Sequence, residues 1–298
     1  MAELDLPGIM AARRQAVDAA LERWLPEQDQ VPPKIHEAMR YSVFAGGKRL
    51  RPLLVLLACE AVGGKPADAM PIAAALEMIH TYSLIHDDLP AMDDDDYRRG
   101  RLTCHKVYGE AIAILAGDAL LTQAFQVLAD PSVTGIPASR RLQIVAEIAE
   151  AAGSRGMVGG QAMDILSEGR EIDRATLLYL HTHKTGALIR ASIRAGGIAG
   201  GAEGGSLDGL TRYGERVGLA FQIVDDILDI EGSSAEMGKT AGSDLRRKKA
   251  TYPAILGLEE SRRQAAHLLQ EAKDALRPLG EAGAVLQALA DFVGRRRH

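Results

Sequence analysis

The sequence predicts an all-α protein, and three observations carry that reading. Apolar residues recur at helical spacing, as in Leu76 and Ile79 with Ser83, and again in Ile144, Ile148, Ala151 and Ala152. Few stretches alternate apolar and polar over a strand's length, and Ala and Leu dominate over β-branched residues. Breakers fall between the periodic segments: Pro32-Pro33, Gly46-Gly47, Gly63-Gly64-Lys65-Pro66, Asp130-Pro131 and the stretch from Gly196 to Gly205. Their spacing implies roughly ten or more helices.

A chain of 298 residues suits one large domain or two ordinary ones. The best linker candidate, Gly196 to Gly205, is short and apolar-tinged, and no repeat of fixed period is present. The expectation is a single all-α domain over residues 1–298.

Composition narrows the function. With 47% hydrophobic and 25% charged residues the chain can bury a sizeable core. A net charge of −5 leaves no basic footprint for nucleic acid. Cys59 and Cys104 are too far apart for a zinc knuckle or redox motif. The opening MAELDLPGIMAARRQ has no apolar core of a signal peptide, and no run reaches the roughly 18 apolar residues of a membrane span. A cytoplasmic protein without a membrane span is expected.

Along the chain, the first chemical feature is Gly46-Gly47-Lys48-Arg49-Leu50-Arg51-Pro52, a glycine loop with Pro52 near the first turn of a helix. Cations oppose the macrodipole there, so Lys48, Arg49 and Arg51 make sense if an anion is held by them and by the free N–H groups. A solvated basic turn is the plainer alternative.

A helix expected to begin near Pro71 places His80, Ser83 or Leu84, and Asp87 on one face. It runs into His86-Asp87-Asp88-Leu89-Pro90-Ala91-Met92-Asp93, where Pro90 should end or kink it and leave Asp93 beyond. Asp94 to Asp96 alone would read as a solvated acidic loop; Asp87 and Asp88 sit at the end of an apolar helix and fit that reading poorly. His80 is as readily a satisfied core histidine as a functional one. Arg98 and Arg99 either pair with the acidic run or present two forks to phosphate. Lys184-Thr185-Gly186 interrupts a helical stretch and sets a cation beside a hydroxyl, or is an ordinary helix break.

In the second acidic cluster Gln222, Asp225, Asp226 and Asp229 form one stripe on a helix otherwise apolar or Gly. Inward carboxylates cost several kcal/mol (roughly) each unless compensated, and no cation stands one turn away. A metal is the economical compensation. All-oxygen donors favour Mg²⁺, Mn²⁺ or Ca²⁺, and sparse carboxylates suit Mg²⁺ that shares its shell with substrate phosphates. Two facing clusters would hold a diphosphate through bridging metals. Gly238-Lys239-Thr240 supplies another lysine after the cluster. It is no P-loop, because Ser233 stands where the first glycine belongs and no strand precedes it.

The ordered set G-G-K-R-x-R-P, D-D-x-x-x-x-D with R-R-G, K-T-G, F-Q-x-x-D-D-x-x-D and G-K-x-x-x-x-D, from about residue 44 to 253, resembles the trans-prenyltransferases. The two-residue widening Pro90-Ala91 resembles the bacterial farnesyl diphosphate synthase branch. The resemblance implies an all-α bundle around a deep central cavity, usually a homodimer, with three Mg²⁺ per active site. It assigns Asp87, Asp93 and Asp225 to metal, with Asp88, Asp226, Asp229 and Asp244 in support. Lys48, Arg51, His80 and Arg99 would hold isopentenyl diphosphate; Arg98, Lys184 and Lys239 would hold the allylic diphosphate, and Lys249 would close the mouth. Thr185 and Gln222 would face the allylic cation with their oxygen dipoles.

The implied reaction is ionisation of the allylic diphosphate, attack by the isopentenyl double bond, and loss of a proton to the departing diphosphate. Water must be excluded, which calls for an apolar pocket below the aspartates. Tyr82 and Ser83 lie about one turn beneath Asp87, so a bulky Tyr82 would floor a pocket sized for farnesyl diphosphate; alternatively it packs outward and sets nothing. Geranylgeranyl diphosphate synthesis is the nearest rival. A terpene cyclase would not need the second diphosphate site, a regulatory subunit would have lost aspartates, and a purely structural bundle leaves the inward carboxylates unexplained. The basic end Arg295-Arg296-Arg297-His298 has no place in this scheme.

Overall fold

The computed structural model describes residues 4–132, 135–231 and 251–296. Helices account for most of them: α1 (Leu6–Trp24), α2 (Pro33–Val43), α3 (Leu50–Ala61), α4 (Pro66–Asp87), α5 (Cys104–Tyr108), α6 (Glu110–Ala129), α7 (Ala138–Ala152), α8 (Met157–Ser167), α9 (Arg174–Leu180), α10 (Ala187–Gly200), α11 (Gly204–Glu231), α12 (Tyr252–Leu256), α13 (Leu258–Ala275) and α14 (Ala284–Arg295). Strand structure among the described residues is a two-residue antiparallel hairpin, β1 (Tyr97–Arg98) with β2 (Arg101–Leu102), directly after the first acidic run.

Local chemistry explains many helix starts. Asp5 and Asp173 cap α1 and α9 by accepting from Gly8 N at 2.9 Å and Thr176 N at 2.8 Å. Prolines occupy the first turn of α1, α2, α4 and α12, where their missing N–H costs nothing.

The described residues form two apolar cores. One gathers Val17, Met39, Leu76, Ile79, Leu120, Ile144 and Ile148; the other gathers Leu54, Ile189, Tyr213, Val217, Ile223 and Leu286. α3 and α10 feed both: Val55 and Leu188 point to the first core, Leu54 and Ile189 to the second. Each such buried side chain contributes about 1.5–3 kcal/mol of burial. Their close crossing depends on glycine. A Cβ on Gly196 would lie 2.1 Å from the Val55 carbonyl oxygen, and one on Gly200 would lie 2.7 Å from that of Cys59.

Four expectations need correction. The helix bearing Asp87 starts at Pro66 rather than near Pro71, and Pro71 lies inside it. So near the start, its ring forfeits a single intrahelical bond. The Gly196–Gly205 stretch is mostly helix; the chain breaks only between α10 and α11, because glycines there serve packing rather than turning. Lys184-Thr185-Gly186 does not interrupt a helix either. It belongs to a π-helical turn, His181–Gly186, wound between α9 and α10. Finally, α6 is long and apolar enough for a membrane span by composition, at a mean hydropathy of 1.6, although polar residues interrupt its apolar run. It packs instead against α2, α4, α5 and α7.

Candidate active site

The two acidic clusters and the basic loop meet around one cavity of 1140 Å³. Lys48, Arg51, His80, Tyr82, Ser83, Asp87, Asp93, Arg98, Arg99, Lys184, Thr185, Gln222, Asp225, Asp226 and Asp229 all line it. Asp88 does not; it borders a small adjoining pocket. Lys239, Asp244 and Lys249 lie outside the described residues.

The basic flank is built on the loop before α3. Arg51 is half-buried with its Nε enclosed and unpaired, and desolvation, with Arg99 adding to it, pushes its guanidinium down to about 10 against the pull of Glu77 and Asp225. Burial, then Arg51 and Arg99, hold the His80 imidazole well below its usual range, so it is neutral at pH 7 and can donate one hydrogen bond. Burial, then Arg296, lowers Lys48 as well, against Asp225. Such crowding of desolvated cations suits an anion that compensates them together. Gly47 makes room for it: at φ 130° its missing side chain lets the Arg99 guanidinium pass, where a Cβ would lie 2.6 Å from Cζ. Arg99 Nη1 donates to the Gly46 carbonyl.

Arg49 has a different role from its neighbours. Its Nε donates to Asp18 at 2.9 Å, Nη1 to the buried Glu77 at 2.8 Å and Nη2 to the Val43 carbonyl at 2.7 Å, with the Arg49 side chain itself buried. The reading of Lys48, Arg49 and Arg51 as one anion-binding set is corrected for Arg49, whose fork is spent inside the protein.

On the first acidic wall, α4 ends at Asp87 and the chain turns through Pro90. The Asp93 amide donates back to the Asp87 carbonyl at 2.8 Å, which places both carboxylates at the same cavity edge. Burial is the main cause that pushes the Asp87 carboxyl up to about 6; Lys184 opposes it and Asp93 adds to it. Asp88 is 3% exposed and receives Arg98 from both sides, Nε at 2.8 Å from each oxygen and Nη2 at 2.5 Å. The pair fixes Arg98 at the cavity wall.

The opposite wall is α11. Gln222, Asp225, Asp226 and Asp229 face the cavity as one stripe. The Thr185 hydroxyl donates to Gln222 Oε1 at 2.5 Å, and Gln222 Nε2 reaches Asp225 Oδ2 at 3.5 Å, so the π-helical turn and α11 share one polar chain. Glycines set that approach, since a Cβ on Gly218 would meet Gly186 Cα at 3.1 Å. Asp226 turns to structure: its Oδ2 accepts from His181 Nε2 at 2.9 Å and from Tyr252 N at 2.8 Å. Lys184 is held by Asp164 at 2.6 Å.

Asp225 carries a cation that sequence spacing could not supply. Arg296 Nη2 donates to its Oδ1, and the guanidinium lies 4.1 Å over the Phe221 ring. Burial raises the Asp225 carboxyl, and Arg296 opposes it. Arg296, from the basic end left unplaced by the sequence, therefore lines the cavity. Asp164, Glu77, His181 and Arg296 were not legible as site residues, because each reaches it from a distant segment. For Asp164, only its place in an α8 rich in glycine and apolar residues hinted at an inward carboxylate.

The donor set fits a hard divalent cation. Asp87 and Asp225 are largely desolvated carboxylates whose pKa values burial raises, and with Asp93 they offer oxygen donors to the same cavity. A separate cluster, Asp94, Asp96 and His105, lies outside the cavity lining with donor atoms within 4.8 Å of one another. Lys106 holds Asp96 at 2.8 Å.

Fold and site together define an all-α protein with one deep cavity that sets clustered carboxylates beside clustered cations. The polyprenyl synthetase family model matches residues 32–288. A dimethylallyltranstransferase from Fischerella ambigua is 51% identical over 298 residues, covering 100% of this chain and 85% of that protein. A farnesyl diphosphate synthase from Geobacillus stearothermophilus is 48% identical over 298 residues, 100% of both chains. The crystal structure of an FPP/GFPP synthase from Zymomonas mobilis matches with a TM-score of 0.87 at 38% identity, over 97% of this chain and 99% of that one. Proteins named geranylgeranyl diphosphate synthase match at similar levels. The chain belongs to the polyprenyl synthetase family, the trans-prenyltransferases of isoprenoid synthesis.

Proposed function

We propose that this protein condenses isopentenyl diphosphate with dimethylallyl and then geranyl diphosphate to farnesyl diphosphate, using three Mg²⁺ per active site. The observation that carries the reading is one cavity with Asp87 and Asp93 on one wall, Asp225 on the other, and Lys48, Arg51, His80 and Arg99 along its flank. Bound Mg²⁺ would neutralise the leaving diphosphate as a Lewis acid. Asp87, Asp93 and Asp225 would hold it.

The chain's own groups supply the rest. Arg51, Lys48, Arg99 and neutral His80 bind and orient isopentenyl diphosphate. Lys184 and Arg98, fixed by Asp164 and Asp88, hold the allylic diphosphate. Thr185 and Gln222 direct oxygen lone pairs at the allylic carbon, and the apolar lining of Met157, Val158, Leu180 and Phe221 excludes water. The farnesyl length rests on Tyr82, 6% exposed and facing the cavity one turn below Asp87. The names of relatives favour geranylgeranyl diphosphate as the second reading.

The chain reads as one domain, since α3 and α10 contribute to both cores. It reads as a cytoplasmic homodimer as well. On α6, Ile114 and Leu115 are 43% and 50% exposed on an otherwise apolar helix, a surface suited to a second copy.

The test is product analysis with purified protein, Mg²⁺, isopentenyl diphosphate and either dimethylallyl or geranyl diphosphate, followed by dephosphorylation and chromatography. Farnesol as main product, abolished by EDTA, is expected. Geranylgeraniol would overturn the product length, and no elongation from either primer would overturn the enzyme reading.

A further inference from the structure

His86 stands next to Asp87, with its ring between Tyr82 and α6. Its ring meets Tyr82, one turn earlier on α4, edge to face at 5.6 Å and 86°. On its other side it lies against α6. Its Nε2 is 3.1 Å from the Ile114 carbonyl oxygen, and since a carbonyl only accepts, Nε2 carries the proton. The Asp118 carboxylate is 3.9 Å from the same nitrogen.

The ring fits there because α6 has no side chain at Gly117. A Cβ at that position would lie 2.2 Å from His86 Nε2 and 2.6 Å from Cδ2. Gly117 is buried in the middle of a regular helix, where glycine costs about 1 kcal/mol against alanine. No turn or positive φ at this residue calls for glycine; the space it leaves is what His86 fills. His86 and Tyr82 both line the cavity. The notch in α6 therefore decides how far His86, and Tyr82 in contact with it, stand into the cavity.

We propose that His86, seated in the Gly117 notch, determines product length by setting the cavity wall that Tyr82 completes. The inference rests on the reading above that this cavity holds the growing isoprenoid chain. A side chain at 117 forces His86 off α6, toward Tyr82 and the cavity, and shortens the space. Removal of the imidazole opens the space behind Tyr82 and lengthens it. The coupling is specific: alanine at 117 has nothing to displace once His86 is gone.

The experiment is the dephosphorylated product ratio from dimethylallyl diphosphate, isopentenyl diphosphate and Mg²⁺. It compares wild type, Gly117→Ala, His86→Ala and the double variant, each checked for a cooperative melt. A methyl group in an apolar pocket changes selection about tenfold. Gly117→Ala is expected to raise geraniol over farnesol by about that factor, and His86→Ala to raise geranylgeraniol over farnesol similarly. In the double variant the effect of Gly117→Ala disappears, which a merely structural glycine would not show. Folded single variants with the wild-type distribution overturn the inference and leave the enzyme reading standing. So does an alanine effect at 117 that persists without His86. A wild-type protein that elongates neither primer overturns both.

Discussion

The Arg296 guanidinium rests on the Asp225 carboxylate, its face 4.1 Å over the Phe221 ring, with the Arg296 side chain only 5% exposed. A divalent cation held by Asp225, as proposed above, would compete with this contact for the same oxygens. Arg296→Ala should therefore tighten Mg²⁺ binding to the substrate-free protein by about three- to tenfold, measured by calorimetry, as a charged partner is worth about 1 kcal/mol or more at such a site. The same change should lower the melting temperature more in EDTA than in Mg²⁺. An equal drop in both would show that Arg296 acts only as packing.

Asp87 gives a pH prediction. Its carboxyl is pushed up to about 6 from an ordinary 3.8 by burial. A raised acid favours the folded state below the ordinary value, and that contribution is lost as pH rises through about 6. Asp87→Asn should thus stabilise the metal-free protein by on the order of 1–2 kcal/mol at about pH 7.5 and by little at about pH 4. Denaturant melts in EDTA at the two pH values check this, and the variant should lose prenyl transfer.

Asp164 holds Lys184 at 2.6 Å. Asp164→Asn loosens the lysine without removing it. The expected result is about a tenfold lower kcat/KM for the allylic substrate, with the KM for isopentenyl diphosphate unchanged. A change confined to isopentenyl diphosphate would place Lys184 on the other subsite.

Tyr82→Ala should lengthen the product toward geranylgeranyl diphosphate by removing the floor beneath Asp87. An unchanged distribution in the folded variant would remove Tyr82 from that role.

Glu77→Ala leaves Arg49 buried without its main partner. The pair is under 4% exposed, so the loss should reach about 3–5 kcal/mol in chemical denaturation. A cost below about 1 kcal/mol would show that Asp18 and the Val43 carbonyl suffice to hold the guanidinium.

Much of the site was legible because its chemistry is local. The stripe Gln222, Asp225, Asp226, Asp229 follows from helical periodicity, and its inward carboxylates demand compensation wherever the helix lies. Pro90 after Asp87 likewise ends a helix by its own geometry. These features need only neighbours a few residues away, so spacing determines them. What spacing could not supply was the partner of each charge. Arg49 and Arg51 look alike in sequence, yet Glu77 and Asp18 claim the first while the second lines the cavity with a buried, unpaired Nε. Asp88 binds Arg98, Asp226 binds His181, and Asp225 meets Arg296 from the far end of the chain. Glycines at 117, 196 and 200 read as breaks or as nothing, and serve as close contacts between helices. The helical fold class and the residue types of the site were thus determined by the sequence alone, through short-range periodicity and the cost of burying charge. The tertiary structure decided which charges pair and which remain for substrate, because desolvation and Coulomb attraction depend on distances that only the packed chain sets.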